Sequence, residues 1–102
     1  IRLRPTYWEA HYLLGVELAM DQKIQEARTE FEQVLRLRPD YARAHLNLGV
    51  ALAQQLDFHA AIDHFRETLH LDPTNRLAQT YLDQAQAFLT AKTNRPPARP
   101  PP

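Results

Sequence analysis

The sequence predicts an all-α fold, an α–α superhelix of stacked helix pairs, and three observations carry that prediction. Glycine occurs only at Gly15 and Gly49, too little punctuation for strands joined by tight turns. The interior prolines fall at Pro5, Pro39 and Pro73, each 34 residues from the last, the spacing of an internal repeat. Between them the apolar residues step by about one helical turn: Leu14 and Leu18, then Ala27, Phe31 and Leu35, and in the next unit Leu48 and Leu52, then Ala61, Phe65 and Leu69.

Sliding the chain by 34 residues confirms the repeat. Residues 5–38 and 39–72 share Pro5/Pro39, Tyr7/Tyr41, Ala10/Ala44, His11/His45, Leu14/Leu48, Gly15/Gly49, Val16/Val50, Leu18/Leu52, Ala19/Ala53, Ala27/Ala61, Phe31/Phe65, Leu35/Leu69 and Leu37/Leu71. Average composition would give about two identities in such a window. The opening Ile1-Arg2-Leu3-Arg4-Pro5 matches Leu35-Arg36-Leu37-Arg38-Pro39 in the same register, so it reads as the end of a preceding unit.

Five helices are expected in order, at about 7–20, 23–37, 41–54, 57–71 and 75–91. The first has Thr6 with Glu9 three residues on, the spacing of a capping box, and Asp40 and Thr74 stand as start signals directly after their prolines. Each interior proline ends the helix before it, because it has no N–H to donate and disfavours the helical conformation of the preceding residue. The turns at Asp21-Gln22 and Gln55-Leu56 lack glycine. The fifth helix has Asp83 where Gly15 and Gly49 stood, and Thr80, Gln84 and Gln86 add polarity, the character of a solvating cap. The predicted organisation is residues 1–5 as the end of an earlier repeat, repeats at 6–39 and 40–73, a capping helix at 74–91 and a proline-rich tail at 92–102.

The pattern His11-x2-Leu14-Gly15-x2-Leu18, Ala27-x3-Phe31 and Pro39 recurs as His45-x2-Leu48-Gly49-x2-Leu52, Ala61-x3-Phe65 and Pro73. It resembles the tetratricopeptide repeat (TPR), with His in place of the usual Trp and Leu in place of the usual Tyr. The resemblance covers about residues 1–91. It implies a right-handed superhelix of about two and a half repeats whose first helices line a concave groove for a partner peptide. Carried over by the repeat register, that groove is formed by Glu9, Tyr12, Val16 and Met20, then Arg43, Leu46, Asn47, Val50 and Gln54, then Leu77, Gln84 and Phe88. The strip leans apolar, with Glu9 and Arg43 beside it to fix the register of an occupant. Some members of the family grip a terminal carboxylate with basic and amide side chains. Here Asn47 stands at one such site, but Tyr12, Leu77 and Tyr81 occupy others, which argues against a chaperone tail as ligand.

Composition narrows the function further. With 12 Lys+Arg against 12 Asp+Glu there is no basic excess to drive binding to nucleic acid, and the absence of cysteine removes disulfides, thiolate chemistry and Cys-ligated metals. No apolar run approaches the length of a bilayer span. His59, Asp63, Glu67 and His70 share a helical face that could take a stray divalent ion, but such a stripe is more often a solvated surface. His11 and His45 recur in register and read as architecture, whereas His64 has no evident partner. No phosphate loop or nucleophile elbow is present, so neither an enzyme nor a cofactor is expected. Arg36 and Arg38 at the end of the second helix complement its dipole. The tail carries Pro97-Ala98-Arg99-Pro100, a minimal PxxP form that favours an extended conformation. The expected function is a scaffold that binds a protein or peptide partner in the groove, in the cytoplasm. The alternative is a C-terminal appendage of a larger enzyme, such as a transferase, that serves substrate recruitment or oligomerisation. A second copy of the chain, meeting the open N-terminal face or the proline-rich tail, is a further candidate partner.

Overall fold

The computed structural model describes residues 7–93; the Thr6 signal and the proline-rich tail beyond Thr93 lie outside them. Five α-helices follow one another: α1 (Tyr7–Met20), α2 (Ile24–Leu37), α3 (Ala42–Gln54), α4 (Phe58–Leu71) and α5 (Arg76–Thr93), with no strand among the described residues. Short turns join α1 to α2 and α3 to α4 into hairpins, α2 packs on α3, and α4 packs on α5. The helices start within a residue of expectation, and the last runs two residues further.

What ends these helices repeats with the sequence. Arg38 and Asp72, each before a proline, adopt φ/ψ of −143°/83° and −140°/84° and close α2 and α4. The preceding-residue restriction of proline produces that extended geometry. At the other turns, Lys23 N–H donates to the Leu18 carbonyl and Gln22 N–H to Ala19, while Asp57 N–H donates to Leu52 and Leu56 N–H to Ala53. Both are Schellman closures, which require a left-handed residue just past the helix. With no glycine there, Gln22 (φ 63°) and Leu56 (φ 66°) take that conformation themselves.

Helix starts are where the sequence reading needs correcting. Asp40 does not cap α3: Tyr41 holds the N-cap position without a side-chain bond, and the Asp40 carboxylate accepts from Arg38 Nε at 3.4 Å. Thr74 does not cap α5 either. Its hydroxyl donates to Asp72, and Asn75 Oδ1 accepts from Ala78 N–H at 2.9 Å instead. Proline is followed by one extra turn residue before each helix begins, which moves the capping position along by one. Asn75→Ala should therefore lower stability by about 1 kcal/mol, whereas Asp40→Ala should change it by only a few tenths. Chemical denaturation of the two variants side by side checks the assignment.

The core is a row of small and large residues in register. Ala27, Phe31 and Val34 of the first unit are fully buried, as are their counterparts Ala61, Phe65 and Thr68. The Thr68 hydroxyl is satisfied by donating to the His64 carbonyl at 2.8 Å. Gly15 faces the Phe31 ring and Gly49 faces the Phe65 ring, so each phenylalanine fills the gap its own unit's glycine leaves. The ring of Phe65 then reaches the next unit, with its centroid 5.7 Å from that of Tyr81. Between units, Arg28 donates to Gln55 Oε1 and Gln55 Nε2 donates to Gln25 Oε1, tying α2 to the turn after α3. On α5, Gln79 and Asp83 are exposed and hydrogen-bonded to each other. They occupy the register positions of His45 and Gly49, so α5 presents polar groups where α3 presents its packing face to α4.

Candidate functional site

A cleft of about 370 Å³ opens between α1 and α3, lined by Tyr12, Val16, Ala19, Met20, Phe31, Asn47, Val50, Ala51 and Gln54. Its placement follows from the repeat. Residues 12, 16 and 19–20 occupy one face of α1, residues 47, 50–51 and 54 occupy one face of α3, and the glycine at 15 lets the Phe31 ring of α2 come through to form the floor. Asn47 Nδ2 donates to the Tyr12 phenol oxygen at 3.1 Å, a bond between two lining residues that ties α1 to α3. Burial first, and then the neighbouring Tyr41, raises the Tyr12 pKa above its usual 10, against smaller opposing contributions from Asn47 and Arg43. The phenol is therefore a neutral hydroxyl throughout the physiological range.

Of the residues expected in the groove, Tyr12, Val16, Met20, Asn47, Val50 and Gln54 come together in this cleft. Glu9 and Arg43 do not line it. They border a second depression of about 270 Å³ that adjoins it through Tyr12 and also contains Trp8, Leu13 and Tyr41. Leu46 is half-buried and packs against the core, lining neither. Gln84 and Leu77 are exposed on α5 and line neither this cleft nor the second depression. Phe88 lies in a separate hollow of about 440 Å³ with Leu56, Phe58, Ala91 and Lys92, where the Phe58 and Phe88 rings stack at 4.3 Å. The sequence reading missed Ala19, Phe31 and Ala51 as lining residues. Their small size or second-helix position marked them as packing groups, and nothing in the sequence separates Phe31, which reaches the cleft, from its equivalent Phe65, which lines none of the three hollows.

Arg38, at the C-cap of α2, also places its guanidinium 4.9 Å above the centre of Trp8 and 5.8 Å from that of Tyr41. Trp8 in turn packs against Tyr41 at 4.8 Å, so the arginine caps an aromatic pair that joins the two units. The stripe at His59, Asp63, Glu67 and His70 gathers no metal-binding group; among the described residues no cluster of three or more His, Asp or Glu side chains could hold an ion. Nor is any helix among them long and apolar enough to cross a membrane.

Paired helices stacked in a fixed register, with an apolar cleft on the side of the first helices, define an all-helical repeat protein of the α-solenoid class. The model of the tetratricopeptide repeat matches residues 12–76, and the chain belongs to that family. A search of curated proteins finds no match. Repeats of this family generally mediate protein–protein interaction and are typically non-catalytic scaffolds.

Proposed function

We propose that this chain is a non-catalytic interaction module that holds a segment of a partner protein in the cleft between α1 and α3. The observation that carries the reading is the cleft itself: it is framed mainly by apolar side chains of the two first helices, and Met20 at its rim stays 76% exposed. An exposed methionine beside Val16 and Val50 is an adaptable apolar contact for an occupant. Asn47 satisfies the Tyr12 oxygen, which leaves the Tyr12 O–H to donate to a backbone carbonyl of the occupant. Because α1 and α3 are already locked by that bond and by the Trp8–Tyr41 contact, the cleft is preorganised, and the ordering cost of binding falls mostly on the partner.

Leu46 and Val50 both contribute to packing, so acidic substitutions there would mix unfolding with loss of binding. Met20 and Gln54 are exposed at the cleft rim and allow a cleaner test. The double variant Met20→Lys/Gln54→Lys, whose cations suit the last residues of α1 and α3, should keep the wild-type helicity and fold, yet lose at least about tenfold in affinity for peptides selected on the wild-type chain from a display library. Undiminished binding by the double variant would remove the cleft from consideration.

A further inference from the structure

The 34-residue register places His11 opposite Glu30 and His45 opposite His64, and the structure makes both pairs. His11 Nδ1 meets Glu30 Oε1 between α1 and α2. His45 Nδ1 meets His64 Nδ1 at 3.0 Å between α3 and α4, with the two rings stacked at 5.3 Å. The same joint is thus built twice, once with a carboxylate and once with a second imidazole.

The protons in the second joint can be placed. His45 Nε2 lies 2.8 Å from the Pro39 carbonyl, which only accepts, so Nε2 carries a hydrogen. Neutral His45 then has a bare Nδ1, and His64 Nδ1–H donates to it. The two Nδ1 atoms hold one hydrogen between them and have no room for a second. Once both rings are protonated, two N–H groups and two positive charges face each other at hydrogen-bonding distance, with His45 only 9% exposed. In the first joint, by contrast, a proton on His11 turns the hydrogen bond into an ion pair with Glu30.

We propose that the His45–His64 contact is an acid-sensitive joint that loosens the second repeat, α3 against α4, while the first repeat, closed by His11 and Glu30, holds. The groups facing His64 are His45 from α3, Glu32 from α2, and Asp63 and Glu67 from its own helix. On α5, which also packs against α4, Arg76, Tyr81, Asp83 and Lys92 are not among the groups acting on it. Burial first and His45 second lower the His64 pKa from 6.5, outweighing the opposite pull of the three carboxylates. Since the folded chain disfavours the charged form, the unfolded chain binds more protons as pH falls through about 6.5, and stability falls with it. The stabilisation is present above that pH and lost below it. Because α3 also supplies Asn47, Val50 and Gln54 to the cleft, loosening it would release an occupant. That consequence rests on the proposed groove; the joint and its test do not.

The test is urea denaturation of the chain between pH 8 and 5.5, compared with His64→Glu, which gives the second joint the partner found in the first. The wild-type folded-to-unfolded ratio should fall measurably further over that range than the variant's, because only the wild-type joint disfavours the charged imidazole. An equal fall in both would overturn the proposal. Should the variant fold poorly, imidazole NMR titration of the wild-type chain decides. His64 titrating below the ordinary imidazole range, with the Nδ1 hydrogen shared between the two rings seen at high pH, supports the joint, and His64 titrating within that range contradicts it.

Discussion

Replacing Gly49 with leucine should unfold the second repeat or leave it loosely packed, at a cost above about 3 kcal/mol. Even a single methyl at this position would lie 2.6 Å from Phe65 Cε1 and 2.8 Å from Cδ1. The ring cannot step aside, because Phe65 is 1% exposed and enclosed by Leu52, Ala61 and Tyr81. Gly49→Ala is the graded version. Overpacking costs about 1–3 kcal/mol, and the better helix propensity of alanine returns up to about 1 kcal/mol, so a net loss is expected. The double variant Gly49→Ala/Phe65→Leu should lose less than the sum of its singles, since the smaller side chain vacates the space the methyl needs. Thermal melts followed by circular dichroism measure all of these. An unchanged melting temperature for Gly49→Leu would mean that α3 and α4 do not close on the glycine.

The second large effect is the complementary deletion. Phe65→Ala removes a fully buried ring from the seam of α3, α4 and α5 and should cost about 3–5 kcal/mol. A domain of this size has only about 5–15 kcal/mol to lose, so the variant should be marginal at 37 °C. Phe31 occupies the same place in the first unit and is equally buried, but its ring also forms the cleft floor. Phe31→Ala should therefore deepen the cleft as well as destabilise. Chemical denaturation at 25 °C, with midpoints compared between the two variants, separates their common packing role from that difference.

Much of this architecture is legible in the chain because periodicity carries it. Three prolines at one spacing, two glycines in register and the recurring Ala27/Phe31 and Ala61/Phe65 pairs set helix number, order and packing partners. Cap chemistry is less legible. A polar residue directly after proline looks like a start signal, yet Tyr41 and Asn75, one position further, begin α3 and α5. The left-handed residues Gln22 and Leu56 leave no trace in composition, because helix closure by neighbouring backbone overrides their preference for other conformations. The cleft was half legible. Positions on the first helices follow from the register, but Phe31 arrives from α2, and Leu46 turns toward the core while Asn47 beside it faces the opening. The His64 partner was available to the same register argument, since residues 30 and 64 are equivalent, once both were read as opposite the repeated histidine.

The central claim is that the opening between α1 and α3 is where a partner sits. Amide chemical-shift mapping of the labelled chain, titrated with a peptide selected on it, tests that claim most directly. Perturbations should centre on Val16, Ala19, Met20, Asn47, Val50 and Gln54, with the Tyr12–Asn47 contact at their middle. Perturbations centred instead on Leu56, Phe58, Phe88 and Ala91 would place the binding surface in the hollow at the far end of α5 and contradict the account.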